Sequence, residues 1–301
     1  IVFVTFYVHA EHPAYVWDFS GYWDQYKNTG RHFLEDWSDA LRQTQLLIAS
    51  QDYNPSPIIP LLPIYWLFGG DRAPYVAGIA VIYLVPVAFV AARLARANAG
   101  SQTPLYLLTL FVAFSYPAFW RPTLRGMVDV AGLLPLGLAA LILFRTDYLA
   151  KANRKTALGF GLLLWSAFLL RRWYAFSLVA LVMTGLLFLI AAALWNRRPL
   201  APVLRAAIPN YVVAGVTALV ALGCFQPHLL TRILTTSYSD SYSAYQADLT
   251  GQLKIYYDHL GLWLLALAAT GLVTDLLRKR MRSAFGACVA ILTMALFSRI
   301  Q

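Results

Sequence analysis

The stretch LGFGLLLWSAFLLRRWYAFSLVALVMTGLLFLIAAALW (158–195) carries no charge except Arg171 and Arg172 near its middle. Crossing about 30 Å of hydrocarbon takes roughly 20 apolar residues in a helix. The stretch is therefore too long for one crossing and suits two, with the arginine pair at the turn between them. A helix is required because lipid offers backbone groups no hydrogen-bonding partner. The short alternating segments of a membrane β-barrel are not seen.

The rest of the chain repeats the pattern. Hydrophobic residues make up 59% of the sequence and charged residues 13%, with a mean hydropathy of +0.59. Soluble domains hold roughly 45–50% apolar and about 25% charged residues. The fold expected is all-α, a polytopic transmembrane helix bundle of about nine spans, treated as a single domain over 1–301. The spans are read at 1–10, 75–95, 103–118, 130–144, 156–170, 174–194, 207–225, 260–276 and 284–298. The apolar opening IVFVTFYV reads as the remainder of a truncated first span rather than a signal peptide, since it lacks a basic flank and a small-residue cleavage site. The chain is expected to continue beyond Gln301. Cys224 and Cys288 both lie in apolar blocks, which argues against a disulfide framework or a zinc site.

Charge divides the connections into two sets. Arg93, Arg96, Arg145, Lys151, Arg154, Lys155, Arg197, Arg198, Arg205, Arg278, Lys279, Arg280 and Arg282 fall in alternate connections with only Asp147 and Asp275 among the acids. The positive-inside rule makes that set cytoplasmic. The net charge of +10 then reports topology and gives no reason to propose nucleic acid as a partner. The opposite, outer face receives a long first loop (11–74), short connections near 119–129 and 171–174, a later loop (226–259) and the Arg299 end, and all five histidines lie on or beside them. HFLEDWSDALRQTQLLIASQ (32–51) and PIIPLLPIYWLFGG (57–70), in the first loop, read as helices on the membrane surface, the first too polar and the second too short to cross.

The first loop also holds YVWDFSGYWDQY (15–26), two aspartates among six aromatic rings. Rings suit a membrane interface, whereas carboxylates there need water, a partner or a task. Asp18 and Tyr22 are one helical turn apart, while Asp24 is rotated about 120° from Asp18.

An outward D-x-x-x-Y just after a first span resembles the first-loop acidic motif of the GT-C superfamily of membrane glycosyltransferases. The likeness is greatest to glycosyltransferase family 39, with its protein O-mannosyltransferases, and to the aminoarabinose transferase acting on lipid A. YNPSPIIPLLPIYWLFG (53–69) is similar to the family's proline-led juxtamembrane segment, without the lysine that precedes those prolines. RPTLRGMVDVAGLLPLGLAALILFR (121–145) is similar to its second-loop motif, with Asp129 opening the fourth span. YSDSYSAYQADLTGQLKIYYDHLG (238–261) carries no recognised motif.

The resemblance implies inverting transfer of a sugar from a polyprenyl-phosphate donor to a lipid, polysaccharide or protein hydroxyl. The reaction would take place at the outer face of a membrane, by preference the bacterial inner membrane and its periplasmic side. Asp18 would be the general base and Asp129 the acid that orients acceptor or base. Tyr22 and Asp24 would contact substrate, and Arg121, Arg125, Arg171 and Arg172 would hold the lipid phosphate as planar donors. His228, Lys254, Asp258 and His259 are further acceptor-side candidates. Nothing calls for a cofactor or metal, because no His or Asp cluster has ligand spacing. Each assignment has a structural counterpart. Asp18 and Asp129 can serve helix N-termini, Asp24 a polar helix edge, Arg121 and Arg125 lipid headgroups, and Arg171–Arg172 a turn alone. A secondary transporter or lipid flippase is the competing class, although charges at span ends and the absence of matching halves argue against it. An O-antigen polymerase or ligase would share the donor.

Overall fold

The computed structural model describes residues 1–11, 18–51, 53–99, 103–235, 249–278 and 282–297. Tyr15, Trp17, His12, residues 238–248 of the later loop, Lys279, Arg280 and Arg299 lie outside the described residues, as does the side chain of His259. All regular structure among the described residues is helical. In chain order the helices are α1 (Val2–Ala10), α2 (Asp18–Glu35), α3 (Trp37–Ser50), α4 (Leu62–Phe68), α5 (Arg72–Ile79), α6 (Val85–Ala99), α7 (Thr103–Ser115), α8 (Pro117–Leu124), α9 (Val130–Arg145), α10 (Arg154–Leu170), α11 (Tyr174–Trp195), α12 (Leu200–Phe225), α13 (Pro227–Thr235), α14 (Leu249–Leu277) and α15 (Arg282–Phe297). A 3-10 turn, Ile59–Leu61, leads into α4, and a π turn, Ala80–Leu84, joins α5 to α6.

Among the described residues, four helical stretches are long and apolar enough to cross a membrane: Arg72–Ala97, Tyr174–Trp195, Leu200–Phe225 and Leu260–Leu277. The fourth is the later part of α14, from Leu260, where the positive φ of 73° at Gly261 breaks the helix. Thr103–Ser115, Val130–Arg145 and Ser283–Phe297 are apolar but shorter. At about 1.5 Å per residue they reach only about 20–25 Å. The span expected at 103–118 stops early because Tyr116 is extended ahead of Pro117, the conformation a following proline imposes.

The surface segment expected at 32–51 is divided between two helices. Asp36 leaves helical geometry and accepts a hydrogen bond from the Asp39 backbone N–H at 3.0 Å, so α2 ends and α3 begins there. The proline-led segment forms the 3-10 turn and α4, whose exit at Gly69 requires a positive φ of 77°.

The chain forms two compact units, the first comprising 1–141, 158–172 and 214–233, the second 142–157, 173–213 and 234–301. In the first, the core gathers around α5. Arg72, Tyr75, Val76 and Ile79 are buried on it at helical spacing, and Tyr83, one turn further on, donates its hydroxyl to the Pro57 carbonyl at 2.7 Å. The stripe Asp18, Tyr22, Tyr26 on α2 runs at four-residue intervals, and both tyrosines are buried in this core. The carboxylate therefore lies on the packed face of its helix. On α10, a Cβ at Gly161 would come within 2.4 Å of the Ala214 carbonyl oxygen on α12, so these two backbones touch where only glycine fits.

In the second unit, α11 packs against α15. The turn after α9 holds three successive left-handed residues, Asp147, Tyr148 and Leu149. Such backbone is costly outside glycine. The buried amide of Asn210 supports it by donating to the carbonyls of Leu149 (2.9 Å) and Ala152 (3.0 Å).

Replacing Gly161 by valine should destabilise the protein by about 2 kcal/mol through forced separation of α10 and α12. Gly159→Val, at a position with nothing within 4 Å of a Cβ, is the matched control. Thermal denaturation in detergent should show a clear loss for the first and little change for the second.

Candidate functional site

In the first unit, three segments far apart in sequence meet at Arg171. This residue follows α10, tied back by its backbone N–H to the Ala167 carbonyl, and its side chain is 10% exposed. Its Nε lies 2.5 Å from Asp129 Oδ1, and its Nη2 lies 3.3 Å from Asp18 Oδ2. Its Nη1 donates to the Tyr22 hydroxyl. One planar guanidinium thus engages two carboxylates and a phenol with three different nitrogens, a division of donors that lysine could not reproduce.

Tyr53 completes the group. The Arg171 guanidinium lies 5.1 Å from the centre of its ring and that of Arg172 4.9 Å, within the range of cation–π attraction. Tyr22 and Tyr53 are 6.5 Å apart, ring to ring. Tyr53 owes its place to local polar anchoring. The buried Asn54 donates to the Leu169 carbonyl at 3.3 Å and accepts from the Ser56 N–H at 2.9 Å, and Gln25 donates to the Tyr53 carbonyl at 3.0 Å.

Asp129 is placed by the turn between α8 and α9. Gly126 sits there with a φ of +81°, and a Cβ on it would crowd Tyr75 at 3.1 Å. Tyr75 donates to the Gly126 carbonyl at 2.8 Å and Arg72 Nη2 to the Arg125 carbonyl at 2.9 Å. Arg72 is itself buried, with its guanidinium 5.4 Å from the Trp23 ring. The core of α5 thereby fixes the loop that carries the second carboxylate.

Of the residues singled out from sequence, Asp18, Tyr22, Asp129 and Arg171 converge, with Arg172 beside them. Asp24 does not. It pairs with Lys27 at 2.8 Å, and Lys27 in turn lies 4.4 Å from the Trp23 ring. Arg121 and Arg125, at the end of α8, act electrostatically on Tyr7, whose hydroxyl donates to Glu11 at 2.9 Å. His228, Lys254 and Asp258 are exposed. Sequence reasoning missed Asn54 and Arg72. The Asn-Pro pair at 54–55 and an arginine opening an apolar span were their available signals.

Burial pushes the Asp129 carboxyl above its ordinary value of 3.8; Arg171 opposes this and the like charge of Asp18 adds to it. Burial likewise raises the Tyr22 phenol, which stays protonated at neutral pH. Among the described residues no three His, Cys, Asp or Glu side chains gather into a metal-binding group. The chemistry available is that of carboxylates held against a cation and two aromatic faces.

A carboxyl with a raised folded-state pKa binds its proton more tightly in the folded than in the unfolded chain. Between pH 3.8 and the raised value, stability should therefore fall as pH rises. Thermal midpoints across that range should show this slope in the native protein and a flatter profile in Asp129→Asn. Arg171→Met should destabilise by about 1–3 kcal/mol, because it leaves two carboxylates facing one another. Adding Asp129→Leu should recover part of the loss.

In comparisons with protein-family models, curated proteins and solved structures, the chain matches none.

Proposed function

We propose that the chain is a polytopic membrane glycosyltransferase of the GT-C type, moving a sugar from a polyprenyl-phosphate donor to an acceptor hydroxyl. The observation that carries this reading is the junction at Arg171, where Asp18, 153 positions before it, meets Asp129. A structural turn would need one counter-charge for Arg171. Two carboxylates, a phenol and a second arginine make a polar group able to work on a polar substrate.

The topology that goes with this reading has nine crossings: α1, Arg72–Ala97, α7, α9, α10, α11, α12, Leu260–Leu277 and α15. Alternation then puts the arginine- and lysine-rich turns on the cytoplasmic side, and Asp18, Asp129 and Arg171 at the outer, periplasmic face. The shorter helices would cross with the bilayer thinned around them or with their flanking residues at the interface. The long first loop, with α2 and α3 lying on the membrane, roofs the site.

In the reaction, the acceptor oxygen attacks the anomeric carbon from the side opposite the phosphate. A new C–O bond forms as the bond to the lipid phosphate breaks, so the configuration inverts. Asp18 takes the acceptor proton. Asp129 competes with Asp18 for Arg171 and fixes the orientation of the guanidinium. The negative charge leaving with the polyprenyl phosphate is met by Arg172 and by whichever face of Arg171 its carboxylates vacate. Tyr53 supplies a ring face for the sugar, while the buried Tyr22 holds Arg171 through its hydroxyl.

Purified protein given radiolabelled polyprenyl-phosphate sugar and an envelope extract as acceptor should release polyprenyl phosphate and label the extract. Asp18→Asn should slow this by about 10²–10⁴-fold, whereas Asp39→Asn, on α3 and paired with His32, should match the unsubstituted protein. Undiminished transfer by Asp18→Asn would remove the base assignment. Uptake of the labelled compound into vesicles without transfer would replace the enzyme by a transporter.

A further inference from the structure

Gln226 occupies the corner between α12 and α13 and is 0% exposed. Its backbone is fully used, the N–H donating to the Leu222 carbonyl at 2.8 Å and the carbonyl accepting from the Leu229 N–H at 3.1 Å. Its side chain is the reverse: among the described residues, neither the amide nitrogen nor the amide oxygen has a hydrogen-bond partner. The Trp165 indole N–H, in the same compact unit, is a second buried donor without a partner among the described residues. The Trp165 ring lies 5.1 Å from that of Phe225, the residue preceding Gln226.

A buried amide left unsatisfied at both ends is costly, and an apolar residue of similar shape would avoid the cost. Two residues of one unit with the same deficit, joined through the contact of Trp165 with Phe225, point to a group that arrives from outside the chain. That group must accept from two N–H donors and donate to one carbonyl oxygen. A hydroxyl does both, and a pair of adjacent hydroxyls on a pyranose ring can satisfy the amide at both its atoms. A phosphate cannot, since in its ionised form it offers no donor to the amide oxygen. Neither Gln226 nor Trp165 carries charge, which suits a neutral polyol.

The location agrees with that chemistry. Trp165 and Gln226 belong to the same compact unit as Arg171. Along α10, Trp165 precedes Arg171 by six positions, about 9 Å along the axis and about 120° around it. The aromatic face of Trp165 adds the stacking surface that sugar C–H groups favour. We propose that Gln226 and Trp165 form the hydroxyl-recognition subsite for the sugar of the lipid-linked donor, with the phosphate toward Arg171 and Arg172. The inference rests on the transferase reading for the identity of its ligand.

Binding of two probes separates the two claims. Polyprenyl-phosphate mannose and polyprenyl phosphate are titrated against protein in phosphatidylcholine nanodiscs, free of sugar-based detergent, with transfer measured in parallel. The unsubstituted protein should bind the sugar-bearing lipid more tightly than the bare one. Gln226→Leu should lose about tenfold for the former and nothing for the latter, while its thermal midpoint without ligand rises. Equal loss for both lipids, or none for either, overturns the subsite, the second outcome meaning that water alone meets the amide. Binding with sugar discrimination but no transfer keeps the subsite and removes the transferase. No binding of either lipid overturns both.

Discussion

The structure of the first unit depends on how one arginine is neutralised. A guanidinium at the end of an apolar helix is costly without partners, and two carboxylates are one more than charge balance needs. Arg171 with Asp18 and Asp129 alone would carry a net negative charge; Arg172, across Tyr53, brings the group to neutrality. Neutrality explains how so many ionisable groups can share a small, partly buried space. It also explains why the supporting parts are polar residues hidden in the core. Asn54 fixes Tyr53, Arg72 and Tyr75 fix the Asp129 turn, and each does so by donating to a backbone carbonyl.

The two carboxylates are not equivalent partners. Asp18 sits in the first turn of α2, on a helix anchored by the buried Tyr22 and Tyr26, where the helix dipole favours its charge. Asp129 stands in a turn, with burial working against its ionisation. When an anion approaches Arg171, the carboxylate that gives way most readily is the one whose charged form is held least well. That is Asp129. In the proposed reaction Asp18 keeps its place on α2 as the base, while Asp129 can exchange places with the lipid phosphate. Catalysis and charge balance then draw on the same exchange, because an arriving phosphate substitutes for a departing carboxylate without changing the net charge around Arg171.

Much of this was legible in the sequence, for definite reasons. Hydropathy located the apolar helices because lipid permits little else. Helical phase separated Asp18 from Asp24, and the structure follows it: the four-residue step to Tyr22 leads into the core, while Asp24 faces Lys27. Arg171 stood out because it interrupts an apolar stretch. Phase could not reveal which residues anchor the loops. Asn54 acts through a carbonyl on α10 that is 115 positions away, and Arg72 through the turn at 125–126. Such long-range side-chain-to-backbone bonds have no periodicity to detect. The described contact of Arg125 is of the same kind, its backbone carbonyl accepting from Arg72 just past the end of α8 at Leu124.

Glycine contact and polar junction are mechanically linked along α10. At Gly161 the helix lies against the backbone of α12. Further along, Trp165 meets Phe225, and at the end Arg171 receives Asp18 and Asp129. The first contact fixes the spacing of α10 and α12, the second depends on that spacing, and the position of Gln226 depends on the second. A change in the α10–α12 distance is therefore transmitted to the buried amide before it reaches the ion pairs, which have a flexible side chain to absorb it. On the proposed reading, loosening the helix contact would degrade recognition of the sugar sooner than the charge chemistry at Arg171.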